Sequence, residues 1–292
     1  MIEIPSFNEL IEKSIVNNWD KDALTDFKGA TLQYHDVARK IEKLHIMFES
    51  SGVQRGDKIA LCGRNSSNWA VAFLATLTYG AVAVPILHEF TADQIHNIVN
   101  HSEAKLLFVG DYVATIIDQT KMPDLEGIIY IPDYSLVVSR TDKLTYAREH
   151  LNAMFGEKYP KFFRKEHVHY YREQSPEELA LINYTSGTTG FSKGVMIPYR
   201  AMWSNYDFAM TAVAKHIKKG DNVISILPMA HMYGMAFEFL FEFLFGCHVF
   251  YLTRVPSPAI IAAAFAEVKP TIIIAVPLVI EKKKKKKVLP KL

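Results

Sequence analysis

Residues 58–86 read KIALCGRNSSNWAVAFLATLTYGAVAVPI, and this stretch decides the fold class. Lys58–Cys62 is a short apolar run of the length that forms a buried strand, and the polar residues at 65–66 are typical of the start of a helix. Residues 69–79 have the composition of that helix, a glycine then ends it, and the run 81–86 predicts a second strand. A strand, a helix and a strand in this order predict a βαβ unit and a parallel sheet.

The same alternation continues beyond this unit. Thr91 and Gln94 have the spacing of a capping box, which predicts a helix toward residue 101. Further strands are expected at 105–109 and 127–131. Beyond residue 175 the pattern predicts strands near 179–184, 195–197, 222–227, 248–252 and 271–275, and helices over 198–214, 235–245 and 257–268.

Residues 133–175 differ from their surroundings because they are polar, aromatic-rich and without a clear period, and we interpret them as a connecting segment. A cap at Ser175, followed by a proline and acids, predicts the start of a helix. The expected fold class is α/β, with two doubly wound, mostly parallel subdomains: residues 1–175, which include the connecting segment, and residues 176–292. Because the last predicted strand leads into the opening of another helix, we expect a truncated chain whose second subdomain is incomplete.

The composition is that of a protein with a sizeable core and no broad basic surface. The 292 residues are 49% hydrophobic, and 33 Lys and Arg face 31 Asp and Glu, for a net charge of +2. Six of the lysines form one run at 282–287, without which 27 basic residues remain against 31 acidic ones. Affinity for a phosphate backbone comes from many distributed cations, so the composition speaks against nucleic acid as the main partner.

Nothing in the sequence indicates export or a membrane span. Cys62 and Cys247 form neither a disulfide framework nor a zinc spacing, and the N-terminus lacks the basic and apolar regions of a signal peptide. Residues 226–252 have spanning length, but they contain Glu238 and Glu242 and are interrupted by proline and glycine. We predict a cytoplasmic protein without a transmembrane segment; peripheral membrane contact and the oligomeric state are left open.

The motif that carries chemistry is NYTSGTTGFSKGVM at residues 183–196. Its three glycines let the backbone turn N–H groups into a concave nest, its hydroxyls add donors, and Lys193 adds a cation. Such a loop between two strands suits the oxygens of a polyphosphate. The Walker spacing and the G-x-G-x-x-G fingerprint are both absent, which disfavours a Ras-like NTPase and a Rossmann dehydrogenase. We call residues 185–193 the glycine-rich loop.

This motif resembles the phosphate-binding signature of the adenylate-forming superfamily, which includes acyl-CoA synthetases, peptide-synthetase adenylation domains and luciferases. Residues 56–85 are similar to that family's N-terminal subdomain, and LPMAHMYG at 227–234 is similar to its next motif. Ser192 stands where the family usually has proline, and Pro-Tyr-Arg at 198–200 replaces the usual hydroxyl-His-Arg. Nothing matches the motifs of the family's second half, so the resemblance is to roughly its first half.

The resemblance implies an ATP-dependent, AMP-forming acid–thiol ligase. A fatty acid, which we expect to be long-chain, would attack the α-phosphate of ATP, and coenzyme A would then take the acyl group; ATP, Mg²⁺ and coenzyme A are the implied cofactors. Lys193 and His231 are the implied catalytic residues, and Thr185 would help to hold Mg²⁺. The implied nucleotide-binding residues are Thr185, Ser186, Gly187, Thr188, Thr189, Gly190 and Lys193.

Several alternatives stay open at this point. His231 could be a core histidine, and the apolar residues 229–245 could line an acyl tunnel or serve as core. Glu238 and Glu242 are one helical turn apart, and we interpret them as a polar stripe on a mostly buried helix rather than as paired catalytic carboxylates. The acyl acceptor could be a carrier protein instead of coenzyme A, or the chain could bind a nucleotide or an acyl chain without turnover.

Overall fold

A computed structural model of the chain describes residues 5–185, 193–253 and 257–274, and helices and strands alternate along most of them. The first part contains α1 (Phe7–Asn17), β1 (Asp22–Asp26), β2 (Thr31–Gln33), α2 (Tyr34–Ser51), β3 (Lys58–Cys62), α3 (Ser67–Tyr79), β4 (Val82–Ile86), α4 (Ala92–His101), β5 (Ala104–Val109), α5 (Asp111–Ile116), β6 (Gly127–Tyr130), β7 (Leu136–Ser139), α6 (Asp142–Glu149) and α7 (Leu151–Lys158). The second part contains β8 (Leu179–Thr185), β9 (Lys193–Pro198), α8 (Tyr199–Ala212), β10 (Asn222–Ser225), α9 (Met232–Met235), a π-helical stretch (Ala236–Leu240), α10 (Phe241–Phe245), β11 (His248–Tyr251) and α11 (Pro258–Val268).

The described strands form two sheets. The larger sheet has the order β7-β6-β5-β3-β4-β8-β9, and only its two edge strands, β7 and β9, run antiparallel to their neighbours. The smaller sheet has the order β10-β11-β1-β2, with β2 antiparallel. The predicted fold class, α/β with two mostly parallel sheets, is confirmed.

The strands of the larger sheet, β3 to β9, are consecutive along the chain and lie between the two strand pairs of the smaller sheet. Strand β8 joins the larger sheet beside β4, and β1 joins the smaller sheet beside β11, where Leu24 pairs with Val249. Each sheet therefore takes strands from both sides of the boundary that we predicted at residue 175. The division between the sheets does not coincide with that boundary, because the pairings that decide it are distant in sequence.

Local signals place the elements of the βαβ unit as predicted. The Ser66 side chain accepts the N–H of Trp69 at 3.1 Å, and Gly80 ends α3 in a left-handed conformation with φ of 87°. The capping box of Thr91 and Gln94 is present at the start of α4. These caps pair backbone groups that the ends of a helix leave free, so the sequence fixes the ends of α3 and α4 locally.

Three predictions are wrong in detail. The predicted connecting segment contains β7, α6 and α7, because Leu144 and Ala147 of α6 are fully buried. No helix begins at Ser175; the chain turns, and the Glu178 carboxylate accepts the N–H of Gln174 and the hydroxyl of Tyr171 before β8 begins. Instead of a strand at 271–275, residues up to 274 form a single bridge between Ile272 and Val223, and residue 275 lies outside the described residues.

Helix α3 packs between the two sheets and joins their cores. Trp69 and Phe73 stack on each other at 5.4 Å between ring centroids, and Phe73 meets Phe239 edge-on at 6.0 Å. At the end of β1, Asp26 accepts the N–H of Ser67 at 2.7 Å. These contacts hold the smaller sheet against the larger one, and the candidate site lies near their junction.

Residues 226–252, which have spanning length by count, divide into a loop, the helical run that begins at Met232, and β11. Among the described residues, the structure contains no helix of the length and apolarity that crossing a membrane requires.

Candidate active site

The glycine-rich loop joins two antiparallel strands. Thr185, the last residue of β8, lies directly opposite Lys193, the first residue of β9, and both are exposed. Directly opposed residues in an antiparallel pair bring their Cβ atoms to about 5 Å. The side chains of Thr185 and Lys193, which we predicted to bind phosphate, therefore leave the backbone side by side at the base of the loop. Ser186, Gly187, Thr188, Thr189 and Gly190, the other predicted nucleotide-binding residues, lie outside the described residues.

The strand pair below the loop is fixed by Tyr184 and Gly194. Tyr184 is buried, and its hydroxyl lies 2.7 Å from Nδ1 of His101. Gly194 faces Tyr184 across the ladder, and a Cβ on Gly194 would lie only 3.0 Å from the Tyr184 ring and from Ile182. A side chain at position 194 would require the side chains of Ile182 and Tyr184 to shift, so this glycine serves close packing directly beside Lys193.

His231 lies at the surface, at the start of the helical run 232–245. It is the N-cap residue, with φ of −91° and ψ of 131°, and its Nδ1 accepts the N–H of Tyr233 at 3.3 Å. The side chain is exposed, so the core-histidine interpretation does not hold. Since Nδ1 accepts, the neutral ring carries its proton on Nε2 and can donate it to an oxygen of a ligand.

The glycine three residues after His231 explains the spacing of the motif at 227–234. A Cβ on Gly234 would lie 2.6 Å from the carbonyl oxygen of Pro228 and 3.1 Å from Cβ of Leu227. The first turn of the helix therefore packs directly on the backbone of the preceding loop. Only glycine permits that approach, which holds His231 at a tight corner between loop and helix.

One side chain connects the two motifs. Asn183 lies in β8 two residues before Thr185, and its Nδ2 donates to the carbonyl of Ala230 at 3.0 Å. Ala230 directly precedes His231. The structure thus brings β8 and the residue before His231 to neighbouring positions, and Asn183, which we did not single out from the sequence, is the residue that joins them.

Glu238 and Glu242 are both fully buried in the helical run. Burial raises the pKa of Glu238 to about 8, against three hydrogen bonds that lower it, and burial also raises the pKa of Glu242 well above its ordinary value. Neither carboxyl is open to a substrate in this structure. The polar stripe that we expected on a mostly buried helix is itself fully buried, and the hydrogen bonds of Glu238 are described below.

The apolar residues after His231 form core rather than a tunnel. Met229, Met235, Phe239 and Phe243 are all at most 1% exposed and belong to the main hydrophobic cluster. The apolar crevice beside them, which Met202 also lines, has a volume of only about 10 Å³. That volume holds about one water molecule. In this conformation there is no room for an acyl chain at this crevice.

A second concave surface lies at β3 of the larger sheet, where successive strands of the chain are added on opposite sides. The chain passes from β3 to β4 on one side and then to β5 on the other, and a crevice of about 280 Å³ lies at the carboxyl ends of β3 and β5. Arg64, Ser66, His88 and Asp111 line it. Ligands of open α/β sheets commonly bind at such a reversal point. Sequence reasoning missed this crevice because it depends on the strand order.

Comparison with known proteins identifies the family. A family model described as AMP-binding enzyme matches residues 11–288. The chain belongs to this family. It is 26% identical over 86% of its length to the long-chain-fatty-acid–CoA ligase ACSBG2 of Homo sapiens, and 25% identical over 85% to long chain acyl-CoA synthetase 3 of Arabidopsis thaliana. The chain spans 36% and 37% of these relatives, little more than a third of their length.

Solved structures confirm the fold of this AMP-binding family member. The N-terminal domain of FACL13 from Mycobacterium tuberculosis matches with a TM-score of 0.77 at 19% identity, over 96% of this chain and 65% of that one. A red-emitting luciferase from Phrixothrix hirtus matches with the same TM-score at 17% identity, over 92% of this chain and 50% of the luciferase. At these identities the likeness establishes the fold alone.

Proposed function

We propose that this chain is the nucleotide-binding part of an AMP-forming acyl-CoA synthetase that activates a fatty acid. One observation carries the proposal: Thr185 and Lys193 emerge as a pair at the base of the glycine-rich loop, and Asn183 ties the same strand to the segment before His231. A hydroxyl and an ammonium suited to phosphate, with an exposed imidazole on a segment tied to the same strand, support the joining of ATP to a carboxylate.

In the proposed reaction a carboxylate oxygen attacks the α-phosphorus of ATP, and the bond to the bridging oxygen breaks, so that pyrophosphate leaves. The ammonium of Lys193 compensates the negative charge that develops on the leaving pyrophosphate. The Nε2–H of His231 donates to the second carboxylate oxygen and orients the attacking one. Coenzyme A then attacks the carbonyl of the acyl-adenylate through its thiol, and AMP leaves.

The described residues offer one candidate ligand for magnesium. Thr185 offers one exposed hydroxyl oxygen, and the part of the chain that the structure describes has no group of three His, Cys, Asp or Glu that could hold a metal ion. Mg²⁺ commonly takes one or two protein oxygens and completes its shell with water and phosphate oxygens. When bound, it would neutralise charge on the phosphates, with Thr185 as its contact in this chain.

We propose the substrate class from the relatives of this chain, and we propose its cellular compartment from the state of its two cysteines. The relatives named long-chain ligases support a long-chain fatty acid and coenzyme A as substrates. Both cysteines are free and buried, which supports a reducing compartment and hence the cytoplasm. Nucleic acid is not part of the proposal.

The test uses the protein expressed from the complete reading frame that carries this chain. Purified enzyme is given ATP, Mg²⁺ and a series of fatty acids, and AMP and pyrophosphate are measured with and without coenzyme A. Pyrophosphate release that depends on the fatty acid, together with acyl-CoA formation, is the expected result. Adenylation without use of coenzyme A would favour a carrier-protein acceptor, and binding of ATP without any pyrophosphate release would refute the enzymatic proposal.

A further inference from the structure

The segment before His231 is held almost entirely by side chains. Residues 226–231, which we call the His231 segment, follow β10 and precede the helical run, so their backbone groups lie outside the sheet ladder. Buried polar backbone groups need partners, and here three side chains from three different parts of the chain supply them. These side chains are Asn65, Asn183 and Glu238, each at most 9% exposed.

Glu238 makes the most concentrated contact. A single carboxyl oxygen, Oε2, accepts the N–H of Ile226 at 2.8 Å and the N–H of Leu227 at 2.6 Å. The hydroxyl of Ser225 lies 3.4 Å from the same oxygen. Glu238 lies in the π-helical stretch 236–240, a local widening of the helix that is frequent at functional sites. One buried oxygen thus fixes two successive peptide groups at the start of the His231 segment.

Asn65 and Asn183 fix the middle and the end of the segment. Nδ2 of Asn65 donates to the carbonyl of Leu227 at 2.7 Å and to the Ser225 hydroxyl at 3.1 Å, and its Oδ1 accepts the N–H of Met229 at 2.9 Å. Asn183 holds the carbonyl of Ala230 at 3.0 Å. Asn65 follows β3 and Asn183 lies in β8, so both anchor the segment to the larger sheet.

We infer that Glu238 is a positioning residue for the proposed adenylation: by holding the peptide groups of Ile226 and Leu227, it sets where His231 stands relative to Thr185 and Lys193. The inference rests on the proposed function for the reaction itself, but the arrangement of hydrogen bonds stands independently of it. An oxygen at the Oε2 position is required, and Gln supplies it at the same reach. Asp is one methylene too short, and Ala leaves two buried N–H groups without an acceptor.

Glu242 provides a matched control. It lies one helical turn after Glu238, it is equally buried, and neither of its carboxyl oxygens has a hydrogen-bond partner in another described residue. Glu242→Ala therefore removes a buried carboxyl from the same helix without touching the His231 segment. A general effect of altering this helix would appear in both Ala variants, whereas positioning would appear only at Glu238.

The first measurement needs no activity. In the ¹⁵N-labelled chain, Glu238→Ala is expected to accelerate amide hydrogen exchange at Ile226 and Leu227 by about tenfold or more, since one lost hydrogen bond corresponds to roughly that factor. The ring signals of His231 are expected to shift at the same time. Glu238→Gln and Glu242→Ala are expected to keep the wild-type pattern. If Glu238→Ala does not fold, Glu238→Asp takes its place, because it keeps a carboxyl but moves its oxygen.

The second measurement uses the enzyme from the complete reading frame. We expect Glu238→Ala to lower kcat for fatty-acid-dependent AMP formation by about 100-fold, the cost of a displacement near 1 Å, with the KM for ATP changed less than about threefold. Glu238→Gln is expected to restore the rate. Two results would overturn the inference. One is an unchanged rate of amide exchange at Ile226 and Leu227 in Glu238→Ala. The other is a loss of kcat in Glu238→Gln and Glu242→Ala as large as the loss in Glu238→Ala. An inactive wild-type enzyme with the expected exchange pattern would instead refute the proposed function and leave the positioning of His231 standing.

Discussion

Replacing Glu238 by Gln should change how the stability of the protein depends on pH. Burial raises the pKa of this carboxyl from 4.5 to about 8. In the unfolded chain the group loses its proton above about pH 4.5, whereas in the folded protein it keeps the proton until about pH 8. The folded state therefore binds more protons across this window, and the free energy of unfolding falls as the pH rises from 4.5 to 8.

The size of the effect follows from the shift and the burial. A difference of about 3.5 in pKa lowers the free energy of unfolding by at most about 5 kcal/mol over the whole pH window. The decrease is no steeper than about 1.4 kcal/mol per pH unit. Glu238 is fully buried, so little of this is screened by solvent. Glu242 contributes a slope of the same sign, because its pKa is also raised, but that slope is common to wild type and variant. The difference between the two proteins therefore isolates Glu238.

Urea unfolding at half-unit steps from pH 5 to pH 8, followed by circular dichroism, measures this difference. Gln keeps the acceptor for Ile226 and Leu227 and cannot ionise, so Glu238→Gln should gain stability relative to wild type as the pH rises. The gain from pH 5 to pH 8 should be a few kcal/mol. Parallel stability curves for the two proteins would show that Glu238 titrates as an ordinary carboxyl, and the reasoning from burial would be refuted.

Further changes test the glycine-rich loop, the helix corner and the caps. In the enzyme from the complete reading frame, Lys193→Ala should lower fatty-acid-dependent AMP formation by about 10- to 1000-fold, because it removes one cation from the leaving pyrophosphate, while the melting temperature should stay within experimental error. Gly234→Ala should lower the free energy of unfolding by about 1 to 3 kcal/mol in a urea titration, since its Cβ would press on Pro228; equal stability would contradict the close approach. Ser66→Ala should cost about 1 kcal/mol in the same titration, with Ser66→Asp as the control that keeps a cap. The 292-residue chain alone should fold cooperatively yet form no acyl-CoA from ATP, Mg²⁺, fatty acid and coenzyme A, and measurable turnover would contradict our view that the site is shared with residues outside this chain.

The parts of the fold that sequence reasoning predicted well are those decided within a few residues. Ser66, Gly80 and the Thr91–Gln94 box each act on neighbouring backbone groups, so α3 and α4 begin and end almost where expected. Helices α1 and α2 and strands β1 and β2 were not predicted at all. Strand β1 has only five residues, and what makes it a strand is its pairing with β11 at the other end of the chain.

The candidate site shows the same division. The motifs point to Lys193 and His231, and the structure brings their strands and loops together, while their catalytic roles stay predictions. Asn65 was predicted only as part of a helix cap, yet its amide bonds Leu227 and Met229, more than 160 residues away. Glu238 was interpreted as part of a polar stripe because nothing near it in sequence indicates that it binds Ile226 and Leu227. Partners this far apart along the chain cannot be read from local composition.

The position of the larger sheet between the two strand pairs of the smaller one bears on how the protein forms during synthesis. Leu24 of β1 cannot pair with Val249 of β11 until Val249 has been synthesised. At the usual speed of translation the ribosome needs roughly 10 to 45 s to make the residues between them. Strand β4 likewise keeps an open edge until β8 has emerged. For that time the nascent chain carries unpaired parallel edges, which are slow to close and prone to associate with other chains. The larger sheet can close once β9 has emerged at residue 198, whereas the edge of β1 in the smaller sheet stays open until β11 is made. The order of emergence therefore makes the smaller sheet the last part of the protein to fold.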